Sequence, residues 1–481
     1  MTIAKNTVVG ALWNVSLNFY SQLSSLVIFA LLARVLGVQE FGLMAFCFLI
    51  TEMMVLLGNF GINQILIQRP KWNARLAANC YWFLFLLSLT FALIIIVVVA
   101  PLSEKFIYKD SGLMLSALVA VPIINSLSLV SFARLQRGFR NKRITQVNVL
   151  SITLGGVISV YLVFTGYGVW AVIFGRVVQA VFASLLLIII DRFIPLYPLR
   201  KRYIKYIFNF GAPLFYNTCL HFFSMRSINF TTAFLLGSSQ FAYISVSQRA
   251  FRVVSEVTLT PLNSILLPSF SRTKSDVDLT PVYVKVVRLA SSVVIPLYIG
   301  VALLSEELVL LAFGPKWDLS SDLLTILCFT VIPQMPVRFL ASLLISKAHT
   351  KPVFKYDLIA AVLMFSCCAI GALHSIEWSL YGLLLANSIA IPIKFTIAKK
   401  YIFLSAICTL KAVAPAVFSA IIMFLGVTIL DGVCFSELSI FSSVFLKVLT
   451  GSLIYLSVML LLFREHSFCI TKDISKAVRT R

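Results

Sequence analysis

Apolar segments recur along the whole chain, and no sizeable water-soluble domain fits between them. A transmembrane helix needs about 20 mainly apolar residues to cross the hydrocarbon core, and about fourteen segments meet this length. Only 12% of the residues are charged, which is roughly half the usual share in a soluble domain. The sequence therefore predicts an all-α integral membrane protein with about fourteen transmembrane helices, and twelve is the alternative number.

The predicted spans are numbered 1 to 14 in chain order. They cover residues 11–33, 41–67, 77–101, 112–133, 144–165, 168–190, 208–235, 240–268, 286–313, 319–346, 352–374, 378–398, 412–430 and 440–463. Span 1 is interpreted as a permanent helix rather than a cleaved signal peptide. It is longer than a signal core, and polar residues such as Asn14 and Asn18 interrupt it.

Loop charges orient these spans. Every even-numbered span is followed by a basic loop, whereas the loops after the odd-numbered spans 5, 7, 9 and 13 are uncharged or acidic. The loop after span 4 holds only basic charges, namely Arg134, Arg137, Arg140, Lys142 and Arg143. Basic loops stay on the cytoplasmic side of a membrane. The alternation predicts that both termini are cytoplasmic, and it explains the net charge of +22 without nucleic-acid binding.

Cofactor and catalytic motifs are not found in the sequence. The nine cysteines include no CxxC pair, and the four histidines show no metal-ligand spacing. Neither HExxH, GxSxG nor a glycine-rich phosphate loop occurs. The sequence predicts no bound cofactor or metal, and a protein that is not an enzyme.

An internal repeat appears at an offset of 200 residues. Ala33–Gly37 aligns with Ala233–Gly237, and Phe41 then aligns with Phe241. Chance matching of apolar residues is the alternative explanation. Since both copies begin on the same side of the membrane, a true repeat would be parallel. It predicts an N-terminal lobe over 1–198, a C-terminal lobe over 199–402, and an appended pair of helices with a tail over 403–481.

Several short motifs resemble one family. The stretch Ala33–Gly42, followed by Gly58–Ile62 and Ile65–Arg69, is similar to the start of the polysaccharide biosynthesis exporters. These Wzx-type flippases belong to the multidrug/oligosaccharidyl-lipid/polysaccharide superfamily. In the second half, Leu267–Arg272 is also similar to that family. The resemblance implies a two-lobed transporter in the bacterial inner membrane. It would move lipid-linked oligosaccharide to the outer leaflet for O-antigen, capsule or exopolysaccharide synthesis.

Charged residues within the predicted spans are the candidate substrate-binding residues, because charge in the bilayer is costly and usually functional. Glu52, Arg176, Arg249 and Arg252 lie near the middle of their spans, and Arg226 lies somewhat past the middle of span 7. Arginine binds phosphate with two parallel hydrogen bonds. These residues predict a cationic cavity that accepts a diphosphate group. Pairing of the charges with one another is the structural alternative.

Polar residues extend this candidate cavity. Ser245 and Glu256 share the face of span 8 that carries the two arginines, and other polar groups form stripes on spans 1, 2 and 7. The predicted polar lining consists of Asn14, Asn18, Asn59, Asn217, Ser245 and Glu256. Under the repeat, Glu52 would lie opposite Arg252 across a hydrated cavity between the lobes. Helix-to-helix hydrogen bonding is the alternative role of the Asn and Ser residues.

Three functions are compatible with such a chain. A flippase for polyprenyl-diphosphate-linked oligosaccharide fits the arginines best. A multidrug or cation antiporter of the same fold would favour acidic cavity residues, whereas Glu52 is a single central acid. A glycan polymerase or ligase would need a large outer loop with basic or histidine groups. The predicted partners are the lipid-linked oligosaccharide and membrane lipid. The resemblance also suggests other polysaccharide assembly proteins as partners.

Overall fold

The computed structural model describes residues 2–69, 71–106, 108–271, 280–347, 349–402, 404–432, 439–465 and 468, and it leaves out the side chains of 2–18, 106, 257, 260–271 and 350. All regular secondary structure in this described part is helical, which confirms the predicted all-α class. Large apolar side chains such as Phe441 and Leu461 are exposed on the helices. Such exposure is expected where the surrounding solvent is lipid.

Twenty-one α-helices make up the described chain, together with a π-helix at Ile95–Val99 and 3-10 turns at Pro315–Trp317 and Met335–Val337. The α-helices are α1 (Thr2–Val35), α2 (Val38–Asn59), α3 (Ile62–Gln68), α4 (Ala74–Ile94), α5 (Ala100–Phe106), α6 (Ser111–Leu118), α7 (Ala120–Arg137), α8 (Asn141–Phe164), α9 (Gly168–Asp191), α10 (Lys201–Met225), α11 (Ser227–Leu235), α12 (Ser238–Ser271), α13 (Thr280–Leu303), α14 (Ser305–Phe313), α15 (Leu319–Phe329), α16 (Val331–Gln334), α17 (Leu340–Ser346), α18 (Thr350–Ala372), α19 (Ile376–Lys399), α20 (Ala406–Leu430) and α21 (Ile440–Leu462).

Eleven helical segments of the described chain are long and apolar enough to cross a membrane. The three other predicted spans are helical as well: span 1 lies in α1, span 7 in α10 and α11, and span 8 in α12. In α1 the described apolar part, Phe19–Val35, is short, and α12 carries several charged residues. The multi-pass membrane fold is confirmed, whereas the total of fourteen spans stays a prediction.

Side-chain caps fix the starts of several helices. Asn73 accepts a hydrogen bond from the Leu76 N–H at α4, and Ser375 accepts one from the Trp378 N–H at α19. At α2, the Glu40 carboxylate accepts a hydrogen bond from the Gly37 N–H at 3.1 Å. Each cap satisfies a backbone donor that has no partner within its helix. Polar residues at these positions therefore set where a membrane helix begins.

The chain folds into two compact units. The first unit comprises residues 1–223 and 237–242, and the second comprises residues 224–236 and 243–481. Helices α10 and α12 therefore each contribute residues to both units. The division into six-helix lobes at 198 and 402 rests on the sequence repeat, and it stays a prediction.

Small residues let α8 and α9 pack closely within the first unit. A Cβ atom added to Gly155 would lie 2.6 Å from the carbonyl oxygen of Gly175, and one added to Gly175 would collide with the Ser159 hydroxyl. Backbones approach this closely in membranes only where small side chains face each other. Since α9 carries Arg176, this glycine seam sets the position of a candidate site residue.

Alanine at Gly155 or Gly175 is expected to destabilise the protein by about 1–3 kcal/mol, because the added methyl group overpacks the seam. The measurement is thermal unfolding of the purified protein in detergent. Gly300→Ala is the matched control, since a Cβ at Gly300 in α13 meets nothing within 4 Å. Equal unfolding temperatures for Gly155→Ala and Gly300→Ala would contradict the close packing.

Two membrane segments are interrupted. Between α2 and α3, Phe60 and Gly61 adopt left-handed backbone conformations with φ of 40° and 67°. The Phe60 ring packs on Phe83 and Phe215, with ring centroids 5.5 and 5.0 Å away. Further along, Pro333 and Pro336 fall in the segment where α15, α16 and α17 follow one another with short breaks. Breaks of this kind often mark binding regions in transporters.

Candidate functional site

Glu52 and Arg176 lie close together in the first unit. Helix α2 packs on α9, and the negative charge of Glu52 acts on Arg176. Arg176 also donates a hydrogen bond to Gln179 Oε1 at 2.9 Å. The sequence singled out both charged residues, and within this unit Glu52 attracts Arg176. The position of Glu52 opposite Arg252, which the repeat suggests, stays a prediction.

The side chains of Glu52 and Arg176 are both exposed, although each lies in the middle of a membrane-crossing segment. An ionised side chain at this depth is costly unless water, a partner charge or a polar ligand surrounds it. Arg176 and Glu52 are thus suited to line a hydrated surface where a charged molecule can bind. The substrate-facing role of Glu52 and Arg176 stays a prediction.

The predicted polar lining of the first unit is placed only in part. Asn59 is exposed at the end of α2, and Asn217 is exposed on α10. Asn14 and Asn18 belong to α1, but their side chains fall outside the described part of the structure. The exposed amides provide hydrogen-bond donors and acceptors of the kind that sugars require.

Helix α12 carries the candidate residues of the second unit. Ser245, Arg249, Arg252 and Glu256 follow one another on one helical face, and all four side chains are partly buried. The charge of Glu256 interacts with Arg249 and, to a smaller extent, with Arg252. The face itself therefore carries two cations and one anion. Such a face can bind an anion.

Arg226 is separate from this face by chain position. It stands at the junction of α10 and α11, where it precedes the first residue of α11, and its side chain is partly buried. Its role as a substrate-binding residue stays a prediction.

A second group of charges in this unit was not among the sequence candidates. It comprises Arg338, which follows the 3-10 turn after α16, together with Asp357 on α18 and Lys394 on α19. Lys394 Nζ lies 4.0 Å from Asp357 Oδ1 and 5.3 Å from the centroid of the Tyr356 ring. The positive charge of Arg338 also acts on Lys394. Two cations and one anion therefore meet among these helices.

Tyr298 connects the second group to α12. Its hydroxyl hydrogen-bonds with Ser255, one residue before Glu256 on α12. Its electrostatic interaction with Arg338 reaches the broken segment after α16. Tyr298 is 1% exposed, so this hydroxyl lies within the packed interior. The two charged groups are thus parts of one polar region of the second unit.

There is a physical reason why Arg338, Asp357 and Lys394 could not be recognised as a group from the sequence. Asp357 and Lys394 lie near the ends of their spans, where charges commonly serve as interfacial anchors. Arg338 lies within predicted span 10, between α16 and α17 in the structure. The two prolines just before it, Pro333 and Pro336, were the available signal, because a proline-interrupted span often surrounds a binding region.

An apolar groove also opens in the second unit. It has a volume of about 1100 Å³ and runs along α15, α16, α19 and α20. Phe329, Leu384, Phe418 and many other apolar side chains line it, and Lys411 is the one charged residue among its described lining residues. The groove extends over residues 410–421 of α20, a length of roughly 16 Å. A hydrocarbon chain fits this chemistry.

No cluster of His, Cys, Asp and Glu residues that could hold a metal ion occurs among the described residues. The arrangement offers cations, amides and hydroxyls, which bind oxyanions and sugars without a metal. The described candidate residues are therefore suited to recognition of a polar anionic molecule.

Comparisons with known proteins agree with this chemistry. A family model described as polysaccharide biosynthesis protein matches residues 31–322. The succinoglycan biosynthesis transport protein ExoT of Rhizobium meliloti is 21% identical over 363 residues, which cover 75% of this chain and 74% of ExoT. The lipopolysaccharide biosynthesis protein WzxC of Escherichia coli is 24% identical over 386 residues, which cover 77% of this chain and 76% of WzxC.

Solved membrane proteins share the fold. The lipid II flippase MurJ, in an inward closed conformation, superimposes with a TM-score of 0.73 at 13% identity, over 94% of this chain and 99% of MurJ. An inward-facing multidrug resistance MATE family transporter of the MOP superfamily gives a TM-score of 0.60 at 13% identity, over 81% of this chain and 97% of that transporter. At such identities the likeness concerns the fold alone.

Proposed function

Because the chain belongs to the polysaccharide biosynthesis protein family, we propose that it is a flippase for polyprenyl-diphosphate-linked oligosaccharide. It moves repeat units from the inner to the outer leaflet of the bacterial cytoplasmic membrane, for O-antigen, capsule or exopolysaccharide synthesis. The family match bears out the resemblance of Ala33–Gly42 to these exporters. ExoT is named as a transport protein and MurJ as a flippase, so a transporter rather than an enzyme is the function they support.

The observation that carries this proposal is the cationic face of α12. Arg249 and Arg252 are partly buried on a helix between membrane-crossing segments, and Glu256 is the acid whose charge acts on both arginines. A diphosphate carries about two negative charges, and arginine binds it through paired, charge-assisted hydrogen bonds. The excess positive charge on this face supports recognition of the diphosphate.

The apolar groove supports recognition of the other end of the substrate. A polyprenyl chain is hydrocarbon, and the groove of about 1100 Å³ offers it an apolar lining that includes Phe329, Leu384 and Phe418. We expect the sugars and diphosphate to bind polar groups such as Arg252 and Ser245 while the tail stays against lipid or this groove. Transport then proceeds by alternating access, in which the same groups become accessible from one side and then the other.

The orientation belongs to the same proposal. The basic loops after even-numbered spans support cytoplasmic termini and an inner-membrane location. The substrate would be loaded on the side of these loops, because the proposed transport runs from the inner to the outer leaflet. Other polysaccharide assembly proteins are the partners expected to supply and use the substrate.

A multidrug antiporter is the second candidate, since a MATE family transporter shares the fold. The observation in its favour is the exposed carboxylate of Glu52 in the first unit, which would attract a cationic drug. Arg176 lies close enough to act on that carboxylate, which weakens its attraction for cations. We therefore rank glycan transport first.

Deletion of the gene tests the proposal. We expect the deletion strain to lose its surface polysaccharide and to accumulate polyprenyl-diphosphate glycan on the cytoplasmic side of the membrane. The readouts are surface glycan analysis and mass spectrometry of extracted lipid-linked sugars, with a plasmid copy of the gene as the control. Normal surface glycan together with increased sensitivity to cationic drugs would favour the antiporter instead.

A further inference from the structure

A pocket of about 730 Å³ lies in the first unit, where the segment after α3 faces the segment before α10. Three of its lining side chains are basic, three are aromatic, and none of the described lining residues is acidic. The lining residues are Arg69, Lys71, Trp72, Asn73, Ala74, Arg75, Tyr197 and Tyr203. Binding pockets for small ligands commonly have volumes of about 300–1,000 Å³.

Hydrogen bonds within the fold hold the two walls together. Asn79 on α4 is 1% exposed, and its Oδ1 accepts a hydrogen bond from the Arg200 N–H at 2.7 Å. The Asn79 amide also donates to the Arg75 carbonyl at 2.7 Å. This buried asparagine fixes the segment that bears Tyr197 against the start of α4. The pocket is therefore formed by the fold rather than by loosely placed loops.

Aromatic rings hold the arginines of the pocket. The Arg69 guanidinium lies 4.5 Å from the centroid of the Tyr206 ring, and its Nε donates to the Tyr206 hydroxyl at 3.3 Å. The Arg75 guanidinium lies 5.6 Å from the centroid of the Tyr197 ring. A ring attracts a cation without neutralising it. Guanidinium N–H groups held in this way keep their positive charge for an oxyanion.

Two further arginines, Arg134 and Arg137, lie near the ring of Trp72. The guanidinium carbons of Arg134 and Arg137 lie 5.7 and 5.8 Å from the centroid of the Trp72 ring. Asp191, at the end of α9, lies 3.6 Å from Arg134 Nε and so acts on that arginine. The sequence assigned these basic residues to membrane orientation alone. Orientation requires positive charge in the loop, but it does not require rings that position the charge.

We propose that this pocket binds the sugar-diphosphate headgroup of the substrate at the membrane surface, before transport, with Arg69 and Arg75 on the phosphates and Trp72 and Tyr203 against the sugar. This proposal rests on the proposed function and adds a loading site to it, which is the place where the substrate headgroup binds before transport. An apolar face of a sugar ring packs well on an aromatic ring, which gives Trp72 and Tyr203 a role. A phospholipid headgroup would use the arginines, but it would gain little from the rings.

The direct test is ligand binding to the full-length protein in phosphatidylcholine nanodiscs. Four probes separate the possible ligands: farnesyl diphosphate bearing one N-acetylglucosamine, bare farnesyl diphosphate, phosphatidylglycerol and inorganic phosphate. We expect the glycosylated diphosphate to bind most tightly. This ranking requires both the phosphate-binding and the sugar-binding parts of the pocket.

Substitutions in the pocket test separately which residues bind the phosphates and which bind the sugar. Arg75→Gln is expected to weaken binding of both diphosphates about tenfold, because one charge-assisted hydrogen bond is lost. Adding Arg69→Gln is expected to weaken binding about tenfold again, for the same reason. Trp72→Leu is expected to weaken binding of the glycosylated probe alone, about fivefold. Because Arg69 packs on Tyr206, the single variant at the exposed Arg75 keeps the test valid if the Arg69 variant misfolds.

The matched control is the double variant Lys201→Gln/Arg202→Gln. It removes the same charge as Arg69→Gln/Arg75→Gln from exposed positions at the start of α10 that do not line the pocket. Equal losses of affinity in the two double variants would overturn the proposal, because charge alone would then explain binding. Displacement of the diphosphate by phosphatidylglycerol, with no effect of Trp72→Leu, would also overturn it in favour of a phospholipid contact.

The assay separates this proposal from the proposed function. Binding is measured without transport, whereas transport is measured by plasmid complementation of the deletion strain. If the unaltered gene restores the surface polysaccharide but pocket variants bind the probes normally, the loading site is wrong and the flippase stands. If the deletion leaves the glycan and its lipid-linked precursor unchanged, the flippase itself is wrong.

Discussion

Replacement of both Arg249 and Arg252 by glutamine is expected to reduce glycan export at least tenfold while the protein still folds and reaches the membrane. The two side chains are partly buried on one face of α12, where the charge of Glu256 acts on both. Glutamine keeps a similar length and can hydrogen-bond, but it cannot supply the positive charge that a diphosphate requires. Export is measured as surface polysaccharide in the complemented deletion strain, and folding as the amount of monodisperse protein after extraction.

Two further variants decide whether the arginines bind substrate or only pair with Glu256. If pairing is their sole role, the triple variant Arg249→Gln/Arg252→Gln/Glu256→Gln should restore export, because it removes the stranded acid as well. We expect the triple variant to stay inactive. Arg249→Lys/Arg252→Lys should recover part of the activity, since lysine keeps the charge but loses the bidentate geometry. Full export by the glutamine double variant would remove these residues from the site.

Lys447→Met is expected to destabilise the protein by about 3–5 kcal/mol, the usual cost of leaving a buried charge without its partner. Lys447 Nζ lies 2.6 Å from Glu307 Oε1 and 2.8 Å from Asp431 Oδ2, so this lysine joins α21 to α14 and to the end of α20. Its side chain is 7% exposed and that of Glu307 is 12% exposed. Unfolding temperature in detergent and protein level in membranes measure the effect.

The compensating variant makes this prediction specific. Lys447→Met/Glu307→Gln should recover most of the lost stability, because the buried acid is removed together with the buried base, and Asp431 is exposed enough to be hydrated. Lys399→Met, at an exposed lysine of α19, is the control for lysine loss in general and should have little effect. If Lys399→Met lowers the unfolding temperature as much as Lys447→Met does, the ion pairs of Lys447 with Glu307 and Asp431 are not the cause of the lost stability.

The sequence predicted the helical membrane fold because each span needs only a local apolar run. It also identified Glu52 and Arg176, since charge within an apolar run stands out by composition. It did not predict that these two residues attract each other, because their proximity depends on the packing of α2 against α9. The repeat only aligns positions in one half of the sequence with positions in the other half. Which side chains lie next to each other within a unit depends on how the helices pack.

Charges near span ends were harder to assign. Asp357 and Lys394 were not among the sequence candidates, yet they lie within ion-pair distance, 4.0 Å, beside Tyr356. Arg69 and Arg75 likewise appeared as part of a basic loop, and the aromatic rings that hold them come from a segment more than a hundred residues later in the chain. In both cases a sequence shows the charge but not its three-dimensional neighbours.

The interruption between α15 and α17 has a structural consequence. Pro333 and Pro336 have no amide hydrogen, and the carbonyl of Pro336 accepts a hydrogen bond from the Tyr283 hydroxyl at 2.8 Å. The helical hydrogen-bond ladder therefore lacks two of its N–H donors at this point. Arg338 lies directly after the interruption, just before α17 begins, rather than in the middle of a continuous helix.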